Sequence, residues 1–432
     1  MKLERELGVF GTTMMGLGSI IGTGVFVSIG IAAGVAGPAV LLGIVLAAAV
    51  ATCNGLNSAQ LAANHPVSGG TYEYGYRYLD ARMGFCAGWL FLCAKTASAA
   101  TAALGFSGYL LNALGARDWP VVPVALAGLG GVSLLVLVGL RRSSAANVAI
   151  VSLTLLSLGY FVFYGATVGG GQLGLDGLRP FFGEAEGPGQ MVRVTLEASA
   201  LMFVAFTGYG RIATMGEEVK EPRRTIPRAI ITTLVVSSLL YVAVAWVALT
   251  TVGAPSFAAA TVEAAAPLEV VARAFVFSQG ALLLAVGATA AMLGVLLNLV
   301  LGLSRVLLAM GRRGDMPPWM ARIDTRRNTP TIAVVVVTLA IAALVALGDI
   351  GVAWSFSAFT VLLYYAITNL AALKLKAEER YYPRLISWLG LGASVFLAFW
   401  VDTRIWLVGI ALIGVGLVWQ RIAQRLYAKG VS

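Results

Sequence analysis

Apolar runs of about 20 residues recur from one end of this chain to the other, and each is long enough to cross a bilayer as a helix. In hydrocarbon the backbone must satisfy its own N–H and C=O groups, so such runs read as helices. Twelve segments qualify, near 8–34, 38–62, 83–112, 119–139, 146–169, 191–214, 228–252, 281–310, 331–348, 350–374, 385–401 and 404–424. With 59% hydrophobic and 12% charged residues, a soluble domain of this length is excluded. The expected fold is an all-α integral membrane protein, with no separate soluble domain and only a short basic tail from Arg421 to Ser432.

The net charge of +10 is distributed by loop. If the N-terminus is cytoplasmic, the inside ends and loops collect most of the basic residues. Among these are Lys2, Arg5, Arg77, Arg141, Arg142, Lys220, Arg223, Arg224, Arg312, Arg313, Arg326, Arg327, Lys374, Arg384, Arg421 and Lys429. The other loops hold only Arg117, Arg179, Arg273 and Arg404. This bias places both termini in the cytoplasm and the chain in the cytoplasmic membrane. A nucleic-acid partner would require the charges on one folded face, so none is expected. Cys53, Cys86 and Cys93 lie in or beside spans, which argues against a disulfide framework, a metal site or a disulfide-linked partner chain. The first segment is too long for a cleavable signal peptide and ends without a small-residue cleavage site. No phosphate-cradling loop, catalytic triad, metal-ligand cluster or haem motif is present. Neither a cofactor nor an enzymatic activity is expected.

Two segments contain helix-breaking glycines. The first reads Gly18-Ser19-Ile20-Ile21-Gly22-Thr23-Gly24-Val25-Phe26, and the sixth reads Phe203-Val204-Ala205-Phe206-Thr207-Gly208-Tyr209-Gly210-Arg211. A break at membrane depth is tolerated where the freed backbone groups are buried or line a cavity. Freed N–H groups hold carboxylates and freed carbonyls hold cations, so an amino acid would suit both sets. The segments are five spans apart, so they cross in opposite directions. That arrangement reads as an inverted repeat, with 1–170 as the first unit, 189–375 as the second, and 376–432 as two additional helices and the tail. The alternative is that these glycines only let helices pack closely.

Together these stretches resemble the amino acid–polyamine–organocation transporter superfamily, nearest its cationic-amino-acid-transporter-like and bacterial amino acid permease members. Further resemblance lies in Glu6-Leu7-Gly8, in Gly37-Pro38, in Pro66-Val67-Ser68-Gly69-Gly70-Thr71-Tyr72, in Gly216 to Pro227, and in Ser304-Arg305-Val306-Leu307-Leu308-Ala309-Met310. The resemblance implies a five-plus-five inverted-repeat core of the leucine-transporter type with broken helices 1 and 6. It also implies alternating access, with spans 1, 2, 6 and 7 rocking against spans 3, 4, 8 and 9. Membrane lipid and a small amino acid are the implied partners. The substrate carboxylate would meet Gly22, Thr23 and Gly24. Its amino group would meet carbonyls of Ile20, Phe203, Val204 and Thr207.

Some positions depart from that pattern. Val204 stands where relatives carry an aromatic gate, leaving Phe203, Phe206 and Tyr209 as gate residues or as ordinary packing. Thr154 occupies the place of a span 5 lysine that mimics a bound cation, and Leu293-Gly294 replaces the hydroxyls of sodium-coupled members. Sodium-independent transport follows, by proton coupling or exchange. Lys95, midway along span 3, is either the replacement internal cation or a static partner of Glu197 or a carbonyl; intramembrane lysines are costly and functional by default. Arg211 reads as a gate residue or an anion contact. Glu217 and Glu218 read as inner-gate charges or solvated loop residues. Gln60 replaces a glutamate, and His65 reads as an interfacial loop residue.

The side-chain pocket is assigned to Thr96, Met292 and Leu296 with their neighbours and residues 357–362, none of them acidic. A buried cationic side chain would stay unpaired there, so small or medium neutral amino acids are expected. Glu197 is the one carboxylate that could overturn this. A cationic amino acid, polyamine or other organocation is the alternative substrate, and an amino-acid sensor without net transport is the alternative of another class.

Overall fold

The computed structural model describes residues 7–67, 69–116, 118–139, 144–167, 173–214, 219–275, 280–324 and 329–427. The expectations placed on Lys2, Arg5, Glu6, Ser68, Arg117, Arg141, Arg142, Gly216, Glu217, Glu218, Arg326, Arg327 and Lys429 lie outside the described residues.

The helices are α1 (Val9–Ile20), α2 (Ile29–Ala36), α3 (Val40–Asn64), α4 (Thr71–Tyr78), α5 (Ala81–Ala113), α6 (Val121–Leu137), α7 (Ser144–Thr167) and α8 (Gly187–Phe206). They continue as α9 (Gly210–Thr214), α10 (Pro222–Ala264), α11 (Pro267–Arg273), α12 (Gly280–Arg313), α13 (Thr331–Ala346), α14 (Ile350–Leu373), α15 (Arg384–Ala398) and α16 (Thr403–Tyr427). Each apolar segment of the sequence falls on one or more of these helices. Among the described residues, eight helical stretches are long and apolar enough to cross a membrane, and the first, Val9–Asn64, covers nearly all of the first two segments. Three others, α6, α13 and α15, are apolar but shorter. The 16 residues of α13 span about 24 Å, against about 30 Å of hydrocarbon.

Local chemistry sets several starts. Asp80 caps α5 by accepting from the amides of Arg82 and Met83 at 2.8 and 2.9 Å, and Asp349 caps α14 through Val352. Pro222 and Pro267 stand in the first turns of α10 and α11, where the missing proline N–H costs nothing.

Helix α10 runs well past the expected end of its segment because it contains a second piece beyond Gly253, whose φ of 77° interrupts the helix. Together with α11, that piece forms a buried connector: Phe257, Thr261, Leu268 and Glu269 are all at most 1% exposed. Glu269 pairs with Arg273 at 2.6 Å. The twelve apolar segments of the sequence pass over this stretch, whose run is interrupted by Pro255, Glu263, Pro267, Glu269 and Arg273.

Two packed groups emerge. In one, α1, α2, α3, α8 and α10 contact one another; in the other, α5, α6, α12 and α13 do. The pairings repeat along the chain. As α1 packs on α7, α8 packs on α14; as α7 packs on α12, α14 packs on α5; as α5 packs on α6, α12 packs on α13. Likewise α1 packs on α10 as α8 packs on α3.

Candidate functional site

Helix α1 stops at Ile20, Ile21 turns extended (φ −82°, ψ 93°), and the chain resumes as a π-helical stretch over Gly24–Ser28. The amides of Val25 and Phe26 both reach the Gly22 carbonyl at 3.1 Å. Helix α8 ends at Phe206, tightens into a 3₁₀ turn over Thr207–Tyr209 and continues as α9. The two interruptions touch. A Cβ on Gly208 would stand 2.4 Å from the carbonyl carbon and oxygen of Ser19, and one on Gly24 would stand 3.1 Å from the Cα of Ala205. Only glycine permits backbones so close.

The donors and acceptors freed here meet different fates. The Thr23 hydroxyl, 4% exposed, has no partner, and among the described residues the Gly22 amide, which lies between the helical stretches, meets no acceptor. Buried polar groups are nearly always satisfied, so these two unpaired donors at the break mark a place for an acceptor group of a ligand. The carbonyls are occupied instead. The Tyr241 hydroxyl lies 2.9 Å from the Ile20 oxygen and 3.0 Å from that of Ala205. Tyr365 donates to the Thr207 carbonyl at 3.1 Å, and the Thr207 hydroxyl donates to Val204 at 2.8 Å. Lys95 Nζ then donates to the Thr207 Oγ1 at 2.9 Å.

Residues 11–424 match the amino acid permease family. The chain belongs to that family. An uncharacterized transporter of Mycobacterium tuberculosis is 40% identical over 418 residues, covering 96% of this chain and 90% of its own length. The branched-chain amino acid permease BcaP of Bacillus subtilis is 27% identical over 354 residues, covering 77% of this chain and 72% of its own. A vacuolar cationic amino acid transporter of Arabidopsis thaliana is 25% identical over 367 residues, covering 79% of this chain and 58% of its own. The sequence resemblance to amino acid transporters therefore holds, and the protein is a multi-pass membrane transporter.

In this permease the other sequence-predicted residues sort into those at the breaks and those elsewhere. Phe203 packs edge-on against Tyr365 with ring centroids 5.7 Å apart, Tyr209 lies 5.3 Å from the same ring, and Phe206 lies 5.1 Å from Tyr241. All three are fully buried. Thr96 lies beside Lys95 on α5, and both keep some accessible surface, as do Ser19 and Gly208. Met292 is turned against Gly105 on α5, and both Met292 and Leu296 are fully buried. Ala291 and Val295 face Gly22 in their place. They stand four residues apart on one face of α12, a face adjacent to the one expected.

The pairing of Lys95 with Glu197 is replaced by the contact with Thr207. Glu197 lies ten residues before Thr207, about 15 Å along the helix, and has Arg193 and Asp402 as charged neighbours. Thr154 donates to Ile150 of its own helix at 2.7 Å. Arg211 stands on α9, one turn beyond the second interruption, and is half-buried. Gln60 donates to Asn57 at 2.9 Å within a buried network joining α3, α14 and α15. His65 ends α3, and partial burial, then Arg77, lowers its pKa.

Sequence reading missed Tyr241, Tyr365 and Asn147. Asn147 donates to Met14 at 3.0 Å and ties α7 to α1 just before the break. The available signal was a tyrosine or asparagine within an apolar run, since such a polar tip demands a partner when buried. Tyr109 is a further case: it donates to the Phe26 carbonyl at 2.8 Å and accepts from the Leu268 amide at 3.2 Å, fastening the connector over the first interruption.

Proposed function

We propose that this permease is a secondary transporter that moves small or medium neutral L-amino acids across the cytoplasmic membrane by alternating access. The observation that carries the reading is the pair of unpartnered donors at the first interruption, the Gly22 amide and the Thr23 hydroxyl. A carboxylate would take both of them, and a buried amide without an acceptor is costly otherwise. The amino group would enter beside Val204 and Thr207, where the polar contacts of the second interruption gather.

The repeated helix pairings support an inverted repeat of 1–170 and 189–375, with 376–432 as the additional helices, twelve crossings in all and cytoplasmic termini. Preference for neutral side chains draws on the lack of carboxylates in 96–100, 292–296 and 357–362, and on the cation Lys95 beside Thr96. Sodium-independent coupling draws on Thr154, which bonds its own helix, and makes Lys95 the internal cation, with protons or exchange as the driving partner. The relative named for branched-chain substrates favours neutral side chains, and the relatives named for cationic substrates favour the alternative.

Uptake of labelled L-alanine into proteoliposomes, competed by the twenty amino acids and by polyamines, tests the reading. Competition by neutral amino acids is the expected result. Competition only by arginine, lysine or polyamines overturns the substrate class. Ligand binding without flux for any labelled substrate overturns transport in favour of a sensor.

A further inference from the structure

Lys95 is the side-chain ammonium that the fold brings to the two interruptions. Its Nζ reaches across from α5 to the Thr207 Oγ1 at 2.9 Å. Thr207, 4% exposed, is the first residue of the 3₁₀ turn that interrupts α8. The other polar partners at this turn are also drawn from the protein. Tyr365 covers the Thr207 carbonyl, the Thr207 hydroxyl covers Val204, and Tyr241 stands between Ile20 and Ala205. Those carbonyls are therefore satisfied from within the protein, while the Gly22 amide and the Thr23 hydroxyl are not. The group held at Thr207 is a primary ammonium.

We propose that Lys95 acts as a tethered stand-in for the amino group of the substrate, holding the interruption of α8 when no substrate is bound and leaving Thr207 when one arrives. This deepens the transport reading and rests on it. An α-ammonium and an ε-ammonium offer the same three donors, so one can replace the other on the same acceptor. The contact also joins the two packed groups of helices, since α5 belongs to one and α8 to the other. A substrate lying between them would join them in the same way. With Lys95 in place, the empty carrier keeps that link and can close and return across the membrane unloaded. Net transport requires this step, and exchange does not.

The consequence is a separation of two fluxes. In Lys95→Met, net uptake into liposomes without internal amino acid falls about tenfold, while exchange into liposomes preloaded with the same amino acid is retained. Apparent substrate affinity rises a few-fold, about three- to tenfold, because a competing internal ligand has been removed. Lys95→Leu, which also removes the ammonium and leaves the Thr207 acceptor in place for the substrate, gives the same separation and serves where Lys95→Met does not fold.

The experiment uses the full chain in proteoliposomes, with wild type, Lys95→Met and Lys95→Leu measured in both modes for whichever labelled amino acid the wild type accepts. Net uptake lost with exchange preserved supports the proposal. Equal loss in both modes, from variants with unchanged elution profiles, assigns Lys95 a structural role and overturns it. Unchanged net uptake overturns it, as does a wild type that exchanges but shows no net uptake. A wild type that moves no amino acid in either mode defeats the transport reading instead.

Discussion

The two interrupted helices are built alike and finished differently. Each loses its regular hydrogen bonds beside a glycine that touches the other's backbone. At the first, Tyr241 meets the Ile20 carbonyl, and the fold leaves the Gly22 amide and the Thr23 hydroxyl without partners. At the second, Tyr365, Thr207 and Lys95 supply donors. A hydroxyl can accept as well as donate, as that of Tyr109 does from the Leu268 amide, yet among the described residues none meets the Gly22 amide or the Thr23 hydroxyl. The freed carbonyls are met instead by tyrosine hydroxyls on neighbouring helices. The difference indicates which half of a zwitterionic ligand the protein can imitate and which half it has to wait for.

Substitutions break this comparison most severely where the two interruptions meet. Gly208→Ala would press a methyl group against the Ser19 backbone at 2.4 Å, and backbone cannot swing aside as a side chain can. Transport is expected to fall about 100-fold or more, the scale of a misplaced reacting geometry, and a thermal melt should show about 1–3 kcal/mol of overpacking. Normal uptake by this variant would mean that the interruptions do not meet so closely.

Tyr241→Phe acts on the filled acceptors. It removes the hydroxyl shared by Ile20 and Ala205 and should cost about 1–3 kcal/mol of stability through the carbonyls left bare. Thr23→Val acts on the open donors and should carry the opposite sign. Removing a buried hydroxyl that has no partner leaves stability unchanged or raises it by up to about 1 kcal/mol, while the apparent KM for the amino acid rises about tenfold. Melting curves and uptake kinetics on the two variants give the comparison directly. If both lose stability equally, the asymmetry between the interruptions is wrong.

The smallest effect belongs to a cluster far from the breaks, which serves as a control. Asp315, 4% exposed, accepts from Tyr72 and Tyr76 at 2.7 Å, and Trp419 donates to its backbone carbonyl at 3.0 Å. Arg313 stacks on Tyr76 and pairs with Glu73 at 2.8 Å. Burial raises the Asp315 carboxyl above its usual 3.8, and the two tyrosines and Arg313 pull it back. With a raised folded-state value, its contribution to stability is full below the unfolded value and lost as pH rises through the folded one. Melting temperature should therefore carry a shallow decline from roughly pH 4 upward, and Asp315→Asn should flatten it with uptake unchanged. A slope that survives in the variant assigns the titration to another group.

The helices were legible because long apolar runs leave little choice in hydrocarbon. The positions of both interruptions were legible from Gly22-Thr23-Gly24 and from Thr207-Gly208. The partners of the freed groups were not. Tyr241 and Tyr365 lie 34 and 158 residues beyond Thr207, and no local pattern says which carbonyl a distant hydroxyl will reach. Which residue of the 292–296 segment of α12 meets the break was illegible for a similar reason. Met292 and Val295 are equally apolar, and only the rotation of the helix decides which of them meets Gly22.

Sequence alone determined the class of fold, the location of the weak points in its helices and the family, since these depend on chain-local hydrophobicity, glycine content and ordered motifs. Tertiary structure decided that the Gly22 amide and the Thr23 hydroxyl stay without partners, that Lys95 turns to Thr207 and away from Glu197, and that a connector of α10 and α11 is fastened to Phe26 through Tyr109. Each of those outcomes is a competition among distant donors and acceptors for a few buried partners, and the winner is set by which helices pack side by side.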